Sequence, residues 1–146
     1  MFKFTSTIML VDDEKDFVEV LSLRLKENGE NVIAAYNGTE CLENLDKNQQ
    51  IDVIILDVKM PGMDGIETLK EIKKKAPLVE VIMLTGHGTI QTAIEGMKLG
   101  AFDFMLKPAD FDALNEKLNS ARQRRKEQLE RIRRAETDSM LQQSRI

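Results

Sequence analysis

The chain has 146 residues, of which 42% are hydrophobic, and it carries a net charge of -4 at pH 7. This length suits one domain with a sizeable core and is too short for a comfortable second domain. An acidic chain lacks the extended positive surface that binds nucleic acid, so direct nucleic-acid binding is not expected. Because the start of the chain has no long apolar stretch and the single cysteine, Cys41, cannot form an internal disulfide, we expect a cytoplasmic protein without a membrane span.

Five short apolar runs recur along the chain, and four of them are nearly all apolar. Runs of this length and composition are typical of strands in a parallel sheet that helices cover on both faces. We therefore expect strands at residues 8–11, 32–35, 53–56, 81–84 and 102–106.

The segments between these runs carry apolar residues at helical spacing. Two of the helical patterns end at a glycine, Gly29 and Gly100, a residue that often ends helices. The alternation of strand and helix predicts parallel strands joined by right-handed crossovers, hence a doubly wound α/β fold with five strands. The apolar positions are 17, 18, 21 and 25 in one helix, 66, 69 and 72 in a second, and 90, 93, 94 and 97 in a third.

A last helix is expected to begin near Asp110 and to extend well beyond the sheet. Its first turns carry apolar residues at positions 111, 114, 118 and 121, which can pack on the sheet. We therefore predict a domain over residues 5–121 and a charged helical C-terminal extension over residues 122–146.

Residues 122–134 are mostly charged, with basic residues in excess, and Glu127 and Glu130 lie among them. We interpret this segment as a solvated helix with internal ion pairs, and we favour this over nucleic-acid binding. Leu129 and Ile132 leave open a helical homodimer or the start of a signalling helix. Because no new apolar pattern opens before Ile146, we expect a stand-alone chain more than a fragment of a longer protein.

Four of the five apolar runs are followed by polar residues that can carry chemistry. Asp12 and Asp13 follow the first run, Asp57 the third, Thr85 the fourth and Lys107 the fifth. In doubly wound sheets, ligands bind beyond the carboxyl ends of the strands, where the strand order reverses. With the flavodoxin-like strand order 2-1-3-4-5, these side chains converge on one site.

Three carboxylates that converge repel one another, by about 4 kcal/mol for two charges about 4 Å apart at an effective dielectric constant of about 20. A hard divalent cation relieves this repulsion, and oxygen ligands with room for water and phosphate suit Mg²⁺. We expect Asp12 and Asp13 to hold the metal and Asp57 to attack phosphorus and form an acyl phosphate. Thr85 and Lys107 can offer a hydroxyl and a positive charge to the incoming oxygens.

Four motifs in the chain resemble those of the receiver domains of bacterial two-component response regulators. They are Leu-Val-Asp-Asp at 10–13, Leu-Asp-Val-Lys-Met-Pro-Gly-Met-Asp-Gly at 56–65, Leu-Thr-Gly-His-Gly at 84–88 and Lys-Pro at 107–108. Each motif alone is weak evidence, whereas their common order and separations are highly specific. The resemblance covers residues 8 to about 121.

The resemblance implies that Asp57 accepts a phosphoryl group from a sensor histidine kinase. It also implies that Asp13, Asp57 and the backbone carbonyl of Lys59 coordinate Mg²⁺, with Asp12 acting through a bound water. The expected function is therefore a Mg²⁺-dependent phosphoacceptor that changes conformation to signal, and not a conventional enzyme.

The resemblance also implies which residues transmit the signal. Thr85 is similar to the family's switch hydroxyl, and Phe104 stands where the family keeps an aromatic side chain that rotates inward. Lys107 would pair with the phosphoryl oxygens, and the peptide bond between Lys107 and Pro108 is usually cis in the family, which an X-Pro bond permits. A downstream protein target or an output domain would contact the fourth helix, the fifth strand and the fifth helix.

Two positions depart from the family's commoner pattern. Phe104 lacks the hydroxyl of the commoner tyrosine, so a signal that needs this hydroxyl is not available. Lys59 and His87 lie two residues after Asp57 and Thr85, where the family tunes loss of the phosphoryl group. Because neither side chain is a carboxylate or amide that orients an attacking water well, we predict a slowly decaying phosphoprotein.

Three alternatives to a receiver domain remain to be weighed. A phosphatase of the haloacid dehalogenase type also uses a strand-end aspartate with Mg²⁺, but it needs a second acid two residues later, where this chain has Lys59. A flavodoxin-like cofactor binder needs a loop that cradles phosphate, and the acidic residues 12–14 would repel one. A scaffold that never receives a phosphoryl group stays open.

Overall fold

The computed structural model describes residues 6–48, 50–60, 62, 64–86 and 89–144. No helix within these ranges is both long and apolar enough to cross a membrane. The strands are β1 (Thr7–Val11), β2 (Asn31–Ala35), β3 (Ile51–Leu56), β4 (Glu80–Thr85) and β5 (Asp103–Leu106). The helices are α1 (Lys15–Glu27), α2 (Gly38–Lys47), α3 (Gly65–Lys75), α4 (Ile90–Lys98) and α5 (Phe111–Gln143).

The five strands form one parallel sheet in the order β2-β1-β3-β4-β5. This order confirms the predicted doubly wound topology. In the centre of the sheet, Leu10 of β1 lies opposite Ala34 of β2 and Ile55 of β3. The strand order reverses between β1 and β3, so the carboxyl ends of these two strands border the crevice where such folds bind ligands.

Two apolar layers cover the sheet, one on each face. Ile54 packs in the layer that includes Leu69 of α3. Its neighbour Ile55 packs in the other layer, with Leu25 of α1 and Leu118 of α5. Because successive strand side chains point to opposite faces, a strand covered on both sides must be apolar at nearly every position, as the sequence pattern indicated.

The helix ends follow from local chemistry. Gly29 and Gly100, which follow α1 and α4, have φ values of 90° and 102°, a region that costs glycine least. Four helices begin at a residue whose side chain accepts a hydrogen bond from a backbone N–H of the first turn. These N-cap residues are Asn37, Asp64, Thr89 and Asp110.

Helix α4 exposes most of its apolar side chains. Ile90, Ile94 and Met97 are 82%, 51% and 46% exposed. The buried residue of α4 is Gly96, where an added Cβ would lie 2.2 Å from the Sδ of Met83. The close approach of α4 to the sheet therefore favours a glycine at this point, because any larger residue would displace the end of the Met83 side chain. The predicted apolar face of the helix faces outward.

Helix α5 continues without interruption from the sheet into the charged extension, as predicted. Leu114, Leu118 and Ala121 are buried. From Lys126 onward the helix is almost entirely exposed, as predicted for a solvated helix, but the first basic residues do not form the predicted internal ion pairs. Arg122 and Arg124 instead form ion pairs with acids of the domain, Glu30 and Glu80, because the helix passes over the edge of the sheet where the strands begin.

Candidate functional site

The carboxyl edge of the sheet, where the strands end, brings the predicted site residues together. Asp12 and Asp57 are the first residues after β1 and β3, Thr85 is the last residue of β4, and Lys107 follows β5. The backbone N–H of Asp57 donates to Val11 O at 2.9 Å, so the parallel ladder extends by one bond into the site. The Lys107-Pro108 peptide bond is cis, as the family resemblance implies.

Three acids form the centre of the site. One carboxylate oxygen from each of Asp12, Asp13 and Asp57 lies within 4.8 Å of the others. Asp12 and Asp57 are each 3% exposed, whereas Asp13 is open to solvent. Hard oxygen ligands in a half-open cluster fit a divalent cation that keeps several waters, and Mg²⁺ has this preference. The donor set therefore fits the metal that the sequence predicted.

Backbone groups orient two of the acids. The N–H of Glu14 donates to Asp12 Oδ1 at 2.9 Å, and the N–H of Lys59 donates to Asp57 Oδ1 at 3.4 Å. The side chain of Lys59 is exposed. Each carboxylate thus has one oxygen held by the chain and a second that faces the other charged groups.

Lys107 is the cation of this cluster. Its Nζ lies 2.5 Å from Asp12 Oδ2, 3.3 Å from Glu14 Oε1 and 3.9 Å from Asp57 Oδ2. Burial alone would lower the pKa of Lys107, but the hydrogen bond to Asp12 and the charges of Asp12 and Asp57 outweigh it and raise the pKa above its usual value. The lysine is therefore firmly charged, and its ammonium is closest to Asp12.

The pKa of Asp12 is also raised from its ordinary value. Burial is the main cause, and the charge of Asp57 acts in the same direction, while the hydrogen bonds from Lys107 and the Glu14 N–H oppose both. One lysine does not offset the burial and repulsion of these acids. Additional positive charge at this site would favour the ionised form of Asp12.

The loop between Asp57 and α3 returns tightly to the site. Gly65 begins α3, and its N–H donates to Val58 O at 2.7 Å. An added Cβ on Gly65 would lie 2.4 Å from the backbone oxygen of Asp57 and 2.4 Å from Val58 Cα. Because backbone atoms cannot move aside as a flexible side chain can, this position requires glycine.

Two further predicted residues, Thr85 and Phe104, lie on β4 and β5. Thr85 is fully buried, and its carbonyl accepts a hydrogen bond from the N–H of Lys107 at 2.9 Å. Phe104 lies opposite Met83 in the β4–β5 pairing and is partly buried against the adjoining apolar layer. His87 lies outside the described residues.

Two contacts of Lys107 were not anticipated from the sequence. Its Nζ lies 4.0 Å from the centre of the Phe17 ring, and Glu14 forms the ion pair given above. The apolar spacing of the sequence places Phe17 on the apolar face of α1. The sequence signal for these contacts is the spacing of Glu14 and Phe17. They are three residues apart and therefore adjacent at the start of a helix, so one lysine can contact both.

Comparison with known proteins identifies the family of the chain. Residues 8–119 match the family described as the response regulator receiver domain. The chain belongs to this family of two-component signalling domains.

The chain is 40% identical over 114 residues to the transcriptional regulatory protein ZraR of Salmonella typhimurium, an alignment that covers 78% of this chain and 26% of ZraR. It is 40% identical over 109 residues to a putative response regulator, NtrX-like, of Rickettsia bellii, which covers 73% of this chain and 23% of that protein. The chain thus spans about a quarter of the length of these curated relatives.

Solved structures show the same fold. A receiver domain protein from Clostridium thermocellum superposes with a TM-score of 0.79 at 39% identity, over 83% of this chain and 97% of that chain. NtrX from Brucella abortus superposes with a TM-score of 0.81 at 31% identity, over 87% of this chain and 29% of that chain.

Proposed function

We propose that this chain accepts a phosphoryl group on Asp57 from a sensor histidine kinase and signals by a change of conformation. The observation that carries the proposal is the cluster of Asp12, Asp13 and Asp57 within 4.8 Å beside the ammonium of Lys107. Asp57 is the nucleophile because it directly follows the central strand β3, and one of its oxygens, Oδ1, accepts a hydrogen bond from the N–H of Lys59.

The transfer exchanges one bond to phosphorus for another. An oxygen of Asp57 attacks phosphorus and forms the acyl phosphate, while the bond from phosphorus to the kinase imidazole breaks and its electron pair stays on the nitrogen. When acetyl phosphate is the donor, the P–O bond breaks and acetate leaves. Asp57 thus has the role of an acceptor, and the chain catalyses only its own phosphoryl transfer and autodephosphorylation.

Asp13, Asp57 and the backbone carbonyl of Lys59 would hold Mg²⁺, with Asp12 contributing through a water molecule. When bound, Mg²⁺ neutralises and orients the phosphoryl oxygens. Asp12 and Asp13 serve this site by supplying negative charge at the end of β1, next to the nucleophile. Without Mg²⁺ and the two acids that hold it, Asp57 and Lys107 would bind a phosphoryl group more weakly.

Phosphorylation adds about -1.5 to -2 charges at the end of β3. Lys107 then pairs with the phosphoryl oxygens, and the Thr85 hydroxyl moves to bond them. This movement makes room for Phe104, which is partly buried next to Thr85's strand, to turn inward. Inverting a 1:99 population needs a preference of about 5.5 kcal/mol, a demand that several charge-assisted bonds can meet.

The signal would be read on α4, β5 and α5. Ile90 and Ile94 of α4 and Leu106 of β5 are exposed apolar residues on two of these elements. A downstream protein is the partner that we favour, and a homodimer is the alternative. The cytoplasm is the compartment where we expect the kinase and the downstream protein to meet this chain.

The lifetime of the acyl phosphate is set by the groups next to it. Lys59 and His87 are the residues that we assign to this control, and neither can orient a hydrolytic water well. We expect the phosphorylated protein to decay slowly. A half-life of seconds for the purified phosphoprotein would refute this assignment.

The test is phosphorylation of the purified chain by acetyl phosphate with Mg²⁺, followed by intact-mass spectrometry. We expect one added phosphoryl group on the native chain and none on Asp57→Ala or after chelation of the metal. Asp52→Ala is the matched control, because Asp52 lies on the same strand at its opposite end. Equal labelling of the native chain and Asp57→Ala would overturn the proposal, and failure of the native chain to be labelled would favour a scaffold.

A further inference from the structure

The ammonium of Lys107 is held on the side of the site that faces α1. Its Nζ is 2.5 Å from Asp12 Oδ2 and 3.3 Å from Glu14 Oε1, and it lies 4.0 Å from the centre of the Phe17 ring. Its distance to the nearer oxygen of Asp57 is 3.9 Å. The lysine therefore makes its shortest contacts with the loop after β1 and the first turn of α1, and the phosphoacceptor is its most distant charged partner.

We propose that Glu14 and Phe17 are positioning residues that hold Lys107 toward α1 and so reduce the affinity of the site for a phosphoryl group. The inference rests on the proposed function, because it assigns a role to Lys107 in phosphoryl binding. Neither residue touches the reacting atoms. Both act through the lysine.

The contacts with α1 oppose the change that phosphorylation demands. On this proposal, Lys107 moves toward Asp57, whose nearer oxygen is 3.9 Å away, and weakens its contact with the Phe17 ring when it bonds phosphoryl oxygens. The lysine side chain is 13% exposed, so its contact with the ring is poorly screened by water, and cation–π contacts strengthen when desolvated. The Glu14 side chain is 60% exposed, so its ion pair is worth less.

The expected effects follow from these exposures. Replacing Phe17 by leucine keeps an apolar side chain at this position of α1 but removes the ring, and it should tighten binding of a phosphoryl mimic by about threefold to tenfold. Glu14→Gln should tighten binding by about twofold. Phe17→Tyr keeps the ring and should bind the phosphoryl mimic with the native affinity.

The measurement is titration of beryllofluoride into the full chain at saturating Mg²⁺, with affinity read by calorimetry. Asp16→Asn is the matched control for Glu14→Gln. It removes one negative charge from the same helical turn, and Asp16 makes none of the ion pairs found within the described part of the chain. Thermal unfolding and Mg²⁺ affinity without beryllofluoride, measured for every variant, separate a change at Lys107 from a general loss of stability.

A double-mutant cycle with Lys107→Met decides whether the effect passes through the lysine. We expect Phe17→Leu to change beryllofluoride affinity in the native background and to have no effect in the Lys107→Met background. The same change in both backgrounds, or weaker binding by Phe17→Leu, would overturn the inference. Failure of the native chain to bind beryllofluoride would instead overturn the proposed function, so the two failures are distinct.

Discussion

The two edges of the sheet both collect acidic side chains, but they balance them differently. At the carboxyl edge, Asp12, Asp13 and Asp57 lie within 4.8 Å of one another, and Lys107 is the cation that contacts two of them. At the amino edge, where the strands begin, each of three acids has its own arginine from α5. These pairs are Glu30 with Arg122, Asp52 with Arg125, and Glu80 with Arg124.

This difference separates a binding site from a structural one. A buried acid with its own cation is already neutralised, and removing the cation is costly. A group of acids with too little positive charge gains from binding a cation instead. Acidic residues at a sheet edge therefore indicate a metal site only when neighbouring cations are too few to balance them. Of the two edges, the carboxyl edge meets this condition.

The largest effect that we expect comes from removing all the arginines of the amino edge. A chain that ends at Ala121 should be less stable than the full chain by about 3 kcal/mol, because Glu30 and Glu80, 8% and 5% exposed at their side chains, lose partners. A chain that ends at Lys126 keeps the three pairs and should match the full chain to within about 0.5 kcal/mol. The measurement is chemical denaturation.

The outcome also tests the proposed domain boundary at residue 121. If the two shortened chains are equally stable, the arginine pairs contribute nothing to stability, and the domain ends at Ala121, the last buried residue of α5. If only the shorter chain is destabilised, residues 122–126 belong to the folded unit.

The next effect concerns one acid of the amino edge. Glu80 is buried. Its carboxylate pairs with Lys73 at 3.6 Å and with Arg124 at 2.9 Å. Glu80→Gln should lower the free energy of unfolding by about 2 kcal/mol, because two cations lose their counter-charge and Lys73 is itself largely buried. Equilibrium urea unfolding checks this, with Glu71→Gln, whose ion pair is exposed, as the control.

The smallest effect should have the opposite sign. Asp57→Asn removes one of three repelling charges at the carboxyl edge, so in the absence of divalent metal it should raise the free energy of unfolding by about 1 kcal/mol. The same unfolding measurement in the presence of a chelator tests this. A loss of stability as large as that of Glu80→Gln would mean that the two edges do not differ.

Much of this fold could be predicted because its strands are buried on both faces. Adjacent residues such as Ile54 and Ile55 enter different layers, so local composition reports the burial directly. The exposed apolar face of α4 was less predictable, since the spacing of Ile90, Ile94 and Met97 is the same whether a helix face packs on the sheet or faces solvent.

The candidate site was predictable for a related reason. In a parallel sheet, the residues that follow successive strands share one edge, so strand order alone brings Asp12, Asp57 and Lys107 together. The arginine pairs of the amino edge could not be predicted in this way. Arg122 and Glu30 are 92 residues apart in the chain. No local sequence pattern indicates that α5 passes over the start of β2, where Glu30 lies.

Titration of Mg²⁺ by calorimetry tests most directly the claim that unbalanced acids at the carboxyl edge form a metal site. The native chain and Asp52→Asn should each bind one Mg²⁺, and Asp13→Asn should bind it at least tenfold more weakly. Equal Mg²⁺ binding by Asp13→Asn and the native chain, or loss of binding in Asp52→Asn alone, would contradict this account.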